Sequence, residues 1–245
     1  MAAYFCGMKK IRAVFRLLYF VAYTLLRVGQ IVASSLLLGE NMRRSMRIRK
    51  SWAEHLLPAI GVRASVSGRP PGFPCLLMGN HRSYLDPAII LLHTHAYPVS
   101  KAEVANWPLI GYGAKVSGVL FLKRESQASR KFTLQAIADK IKEGFPVILF
   151  PEGTTHSEPL TVDFRLGGFK LAAENNVPVV PLAIKYASPL DHWTGNDTFL
   201  SHFLRRFGEK HMAVKLCYGE PLTDTDPERL MAKTKKWIDE KLIEL

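Results

Sequence analysis

Apolar and polar positions follow different periods along the chain, and the changes of period mark its organisation. Residues 11–38 read IRAVFRLLYFVAYTLLRVGQIVASSLLL, a strongly apolar run broken by Arg16, Arg27 and Gln30. A membrane-spanning helix needs about 20 predominantly apolar residues. Residues 17–38 have that length. Arg27 stands in the middle, however, where a charge costs about 3 kcal/mol on insertion scales. Gly39-Glu40-Asn41 then reads as a turn, and MRRSMRIRKSWAEHLLPAIG follows. There Met42, Met46 and Trp52 recur near helical spacing among Arg43, Arg44, Arg47, Arg49 and Lys50. This is a basic amphipathic helix, the pattern of an interfacial anchor. Residues 1–58 are therefore expected to form two membrane-associated helices joined by a tight turn. The competing reading packs both helices on the body.

From residue 62 short apolar runs alternate with longer helical stretches. Strands are expected at 62–66, 75–79, 119–123, 147–150, 177–186 and 213–218. Helices are expected at 87–95, at 127–143 with Gly144 as its stop, at 168–175, and at 227–244 behind Asp226-Pro227. Such alternation predicts an α/β domain over 59–245, with a mixed, largely parallel sheet flanked by helices. In sheets of this kind, active groups collect where strands end.

Charge sharpens the picture of the N-terminus. The net charge is +12, and residues 1–50 hold ten basic side chains against one acidic, Glu40, or +9 of it. A basic segment suits a nucleic-acid backbone or an anionic membrane surface. A run such as LLYFVAYTLL in the same segment favours the membrane, and the nearly neutral body argues against nucleic acid. The apolar content of 48% excludes a disordered chain. Cys6, Cys75 and Cys217 are odd in number and widely separated, with no metal-ligand spacing, and read as reduced thiols.

Three motifs carry candidate chemistry. Asn80-His81-Arg82-Ser83-Tyr84-Leu85-Asp86 follows the strand CLLMG. Residues five apart do not share a helix face. A bent backbone between them would let the Asp86 carboxylate take one ring nitrogen of His81 and leave the other free to accept a hydroxyl proton. Asp86 before Pro87 also reads as an ordinary helix N-cap. Phe150-Pro151-Glu152-Gly153-Thr154-Thr155 closes the strand VILF, with Gly153 permitting a tight turn and two hydroxyls able to donate to an anion; it also reads as a plain strand-end turn. GVLFLKR ends in Lys123 and Arg124, a cation pair suited to phosphate or simply a solvated basic edge. His93 and His95 read as packing or surface histidines.

NHRSYLD, the Lys101-Ala102-Glu103 segment leading to Pro108 and Gly111, GVLFLKR, FPEGTT and VPVVPL occur in this order over residues 75–186. The succession resembles the glycerolipid acyltransferase family, in particular the lysophosphatidic acid (1-acyl-glycerol-3-phosphate) acyltransferases. The resemblance implies His81 as general base, Asp86 as its partner, and Lys101 or a nearby amide as the oxyanion stabiliser. It implies Arg124 as the acceptor-phosphate ligand, with Glu152, Gly153, Thr154 and Arg165 shaping that site. The donor would be acyl-CoA or acyl-carrier protein, attacked directly by the acceptor hydroxyl, with no metal and no cofactor. The partners would be membrane lipids and a lysophospholipid, at the cytoplasmic face of a bacterial inner membrane. Lysophosphatidate is the leading acceptor; another lysolipid such as lyso-ornithine lipid is the alternative. No GxSxG elbow supports a serine hydrolase, and a non-catalytic lipid-binding protein is the remaining rival.

Overall fold

The computed structural model describes residues 2–122, 127–195 and 197–245. Two helices, α1 (Ala2–Leu38) and α2 (Met42–Ala59), precede the alternating body. The body runs β1 (Val62–Ser67), β2 (Leu76–Gly79), α3 (Asp86–Leu91), β3 (Tyr97–Lys101), α4 (Ile110–Val116), β4 (Leu120–Leu122), α5 (Gln127–Lys142) and β5 (Val147–Leu149). It continues with α6 (Gly167–Glu174), β6 (Val179–Tyr186), α7 (Phe199–Arg206), β7 (Met212–Tyr218) and α8 (Pro227–Glu244). Two 3₁₀ turns, Ala102–Asn106 and Pro189–Asp191, follow β3 and β6.

The strands form one sheet in the order β1-β7-β6-β2-β5-β3-β4. Only β6 and β7 pair antiparallel; the other pairs are parallel. The mixed, largely parallel α/β architecture expected from the sequence is thus the one observed. Burial explains the strand sequences. All four residues of β2 are buried, because helices cover both faces of the central strands, so β2 reads as a continuous apolar run. Period-2 alternation sends Leu77 into one core with Leu56, Ile89, Ile90 and Val180, and sends Leu76 and Met78 into the other with Met46, Ile137 and Phe169.

Three elements were not expected, and one is shorter than expected. β3 is five residues long with Pro98 inside it, and α7 is two turns long in a polar, turn-rich stretch headed by a Thr198–Ser201 capping box. α4 is seven residues long with two glycines. Short elements rich in Pro or Gly carry little periodicity. α3 stops at Leu91 because the next amides, of Leu92 and His93, reach back only three residues, to Ile89 and Ile90.

The N-terminal hairpin divides its two tasks unequally. The apolar stripe of α2, expected to lie on a membrane, is buried against the body through Met46, Ala53, Leu56 and Leu57. Arg49 is buried with it, donating to the carbonyls of Ala96 at 2.6 Å and Ser117 at 2.5 Å. Burial lowers its pKa to about 10. The membrane-binding character belongs to α1. Its body side buries Ala13, Phe20 and Ile31, while Phe15, Leu18 and Leu26 are more than half exposed on the other side. By length and composition 7–38 could cross a membrane. The charges that interrupt the apolar run lie towards the body. Arg16 donates to the carbonyls of Phe207 at 2.9 Å and Lys210 at 2.8 Å, and Arg27 reaches Ile48 O at 3.3 Å.

Serine substitutions at Phe15, Leu18 and Leu26 together are expected to reduce co-flotation with lipid vesicles by more than about tenfold. Burying even one such side chain is worth about 1.5–3 kcal/mol. The urea midpoint of the detergent-solubilised protein should not move. Undiminished flotation would place the membrane contact elsewhere.

Candidate active site

β2, β5, β3 and β4 are consecutive in the sheet and parallel, so their C-terminal ends lie along one edge. His81 follows β2, Glu152 and Gly153 follow β5, and Lys101 ends β3. Arg124 lies outside the described residues, just past the described end of β4 at Leu122. Asn80 makes the turn after β2 possible. Its side chain is fully buried, donating to Ile184 O at 2.9 Å and accepting from Ile184 N at 2.8 Å, so it keeps β2 stitched to β6 after the backbone has turned away.

The bend brings His81 and Asp86 together. His81 Nδ1 lies 2.8 Å from Asp86 Oδ2. The carboxylate has no exposed surface. Oδ2 also accepts from the backbone amides of Arg82 at 2.6 Å and Ser83 at 2.8 Å, and Oδ1 accepts from Tyr186 Oη at 2.7 Å. With both oxygens acting as acceptors, Nδ1 is the ring nitrogen that donates to the carboxylate, and Nε2 is the one not committed to it. The N-cap reading of Asp86 does not hold. Leu85 occupies the cap position of α3 without a side-chain bond, and Asp86 binds amides of the preceding turn instead. The ring is fixed from a second side by Phe150, stacked at 4.1 Å between centroids and 12° between planes.

Glu152 supports this arrangement from behind. Oε2 accepts from the His81 backbone amide at 2.6 Å. Oε1 accepts from Val162 N at 3.2 Å and lies 2.7 Å from His156 Nε2. Glu158 N donates to His156 Nδ1 at 3.2 Å, and Arg82 Nη1 lies 2.8 Å from His156 Nε2, so Arg82, Glu152 and His156 form one cluster. Arg82, also buried, lies 3.5 Å from Glu152 and donates to Leu160 O at 3.1 Å. The Glu152 side chain is fully enclosed and holds the His81 backbone. Gly153 adopts φ +73°, and a Cβ there would stand 2.6 Å from Arg165 Nε, so only glycine lets Arg165 lie against this turn.

A cavity of about 1000 Å³ opens at this edge. His81, Lys101, Gly153, Thr154 and Arg165 line one part of it. Phe20, Val28 and Ile31 of α1, with Trp52 and Leu56 of α2, line another. The expected site residues therefore share one cavity, apart from the enclosed Asp86 and Glu152 and the undescribed Arg124. Sequence reasoning missed Asn80, Arg82 and Tyr186. Asn80 and Arg82 flank His81 within a motif already singled out. Tyr186 is a hundred residues from Asp86 and carried no signal beyond its place at a strand end. Burial first, then the Asp86 carboxylate, raises the Tyr186 phenol well above its ordinary pKa and keeps it a donor. Behind Tyr84, whose hydroxyl lies 3.0 Å from His202 Nδ1, burial lowers His192 and His202 from 6.5 to about 4.

This sheet edge, where the enclosed Asp86 orients a partly exposed His81 beside an apolar cavity, lies within residues 63–185, which the acyltransferase family model matches, and the chain belongs to that family. Among individual proteins it is 31% identical to the lyso-ornithine lipid O-acyltransferase of Pseudomonas aeruginosa, over 75% of this chain and 72% of that one. It is 33% identical to the chloroplastic 1-acyl-sn-glycerol-3-phosphate acyltransferase BAT2 of Brassica napus, over 53% of this chain and 38% of that one. The crystal structure of the 1-acyl-sn-glycerophosphate acyltransferase PlsC of Thermotoga maritima shares the fold. Its TM-score is 0.75 at 20% identity, over 96% of this chain and 97% of that one.

Tyr186→Phe removes one donor from a buried carboxylate and is expected to cost about 1.5–3 kcal/mol in urea unfolding; an unchanged midpoint would mean that the bond is idle. The buried His202 and the half-buried His192 set a pH dependence. Unfolding restores their ordinary pKa of 6.5, so between pH 6.5 and about 4 the unfolded chain binds more protons. Stability present above pH 6.5 is therefore lost as pH falls towards 4. His202→Gln should flatten that slope, and an identical slope in the variant would assign the dependence to other groups.

Proposed function

We propose that this protein transfers an acyl group from a thioester donor to the free hydroxyl of a lysolipid, with His81 as general base. The observation that carries the reading is the anchored imidazole. Nδ1 is committed to the buried Asp86, while the ring itself lines the cavity. Nε2 takes the proton of the acceptor hydroxyl as its oxygen attacks the thioester carbonyl carbon. Lys101, on the cavity wall at the end of β3, stabilises the oxyanion of the tetrahedral intermediate. The intermediate collapses, the carbon–sulfur bond breaks, and the departing thiolate takes the proton back from Nε2. An ester and a thiol result, with no net proton, electron or cofactor consumed. Acyl-CoA and acyl-carrier protein both supply the required thioester.

We assign lyso-ornithine lipid as the acceptor. The relative of that name supports this choice, because the likeness extends over about three quarters of both chains. Ornithine carries a carboxylate, which suits Lys101 and Arg165 on the cavity wall. Lysophosphatidate is the second reading, supported by Lys123-Arg124 at the end of GVLFLKR and by the Brassica relative. The place of action is the cytoplasmic face of a bacterial inner membrane, where α1 meets the lipid and thioester donors are made.

Transfer to each acceptor by purified protein in bilayers tests the reading. Activity on lyso-ornithine lipid is expected, and exclusive use of lysophosphatidate would establish the second reading. His81→Ala should lower turnover by roughly 10²–10⁴-fold, the range of general-base assistance, far more than the accompanying loss of one donor to Asp86 lowers the unfolding midpoint; near-full activity would overturn the mechanism. Arg165→Ala should raise the acceptor KM more than it lowers kcat.

A further inference from the structure

Helix α7 carries an apolar stripe wider than its buried contact needs. Phe199 and Phe203 line the cavity, and Phe203 is 1% exposed. Leu200 and Leu204, one turn apart and so on one face, are 51% and 39% exposed. Leu190, in the 3₁₀ turn that leads towards α7, is 65% exposed. A single exposed leucine needs no explanation. Three exposed leucines on one short helix and the turn before it, beside the exposed apolar face of α1, do.

The neighbour of α7 is α1. Phe20 packs against Phe199 and Phe203 with ring centroids 5.6 and 5.7 Å apart. Arg12 and Arg16 grip the carbonyls of Gly208 and Phe207 just past the end of α7, each at 2.9 Å, and Lys9 pairs with Glu209 at 2.7 Å. The two helices are therefore packed and hydrogen-bonded together, and α1 is the element with membrane-binding character. The polar groups of α7 are arranged to match. Arg206 is held by Asp191 at 2.6 Å and Arg205 by Asp197 at 2.8 Å, so the two cations of its last turn are paired and lie away from the leucine positions in the helical repeat.

We propose that the outer face of α7, through Leu200 and Leu204 together with Leu190, is a second membrane-contacting surface continuous with α1, and that its partner is the lipid bilayer. Helix α7, whose Phe199 and Phe203 line the cavity that His81 also lines, then borders the lipid. A lysolipid enters sideways past α7 with its tail never in water. This holds for either acceptor and does not depend on which one is used.

The test uses the full chain in a Cys6→Ser background, reconstituted in phosphatidylcholine–phosphatidylglycerol vesicles containing bromine-labelled acyl chains. An environment-sensitive fluorophore is attached at Leu200→Cys, at Leu204→Cys, or at Lys233→Cys on the exposed side of α8. Quenching several-fold stronger at 200 and 204 than at 233 is the expected result. Equal quenching at all three overturns the proposal. A blue shift at 204 that grows with protein concentration without bromine quenching also overturns it, in favour of a second copy of the chain. In a parallel assay, the Leu200→Ser/Leu204→Ser variant should show a several-fold higher KM for vesicle-borne lysolipid but an unchanged KM for a short-chain, water-soluble one. Equal changes for both would mean a packing defect and would sink lateral entry.

Discussion

A carboxylate without exposed surface is tenable only when its oxygens are fully engaged. Asp86 meets that condition with four donors, drawn from His81, from the amides of Arg82 and Ser83, and from Tyr186 at the end of β6. Those donors come from the turn after one central strand and from the end of its neighbour. The bond network therefore fixes where β2 must end, how the chain bends after it, and which way the imidazole faces. Asn80 and Glu152 serve the same end, the first holding the turn to β6 and the second holding the His81 backbone from the β5 side. Removing any one of these groups leaves a buried polar partner unsatisfied, so the arrangement is cooperative.

The remainder of the molecule supplies what an acyl transfer to a lipid requires. The parallel run of β2, β5, β3 and β4 places His81, Gly153 and Lys101 along one edge. The helical hairpin closes the cavity from above, with α2 seated in the body and α1 presenting apolar side chains outward. A reaction that brings two acyl chains together needs an apolar cavity, and the hairpin lines part of it.

Much of this was legible in the sequence, because it rests on local signals. The strands around the motifs are continuous apolar runs, and the ordered motifs locate the sheet edge. The losses have physical causes. β3 and α7 are too short for periodicity to register, and Pro98 hides the first. Tyr186 meets Asp86 only through the β2–β6 pairing, which no local pattern encodes. The acceptor role of Glu152 came from the resemblance alone, and no local signal shows that its carboxylate binds the His81 amide. The arginines of 42–50 looked uniformly interfacial; Arg49 proves to be an internal ligand for three backbone carbonyls. A basic amphipathic stripe looks the same whether its apolar side meets lipid or protein.

The central claim is that Asp86 fixes the proton on Nδ1 of His81 and leaves Nε2 free to accept another. Nitrogen NMR of protein with ¹⁵N-labelled histidine, at neutral pH and compared with His81→Gln for assignment, reads that tautomer directly. The account requires His81 to show a protonated Nδ1 and an unprotonated Nε2, with this preference lost in Asp86→Asn. A His81 that carries its proton on Nε2 in the unmodified protein would contradict it.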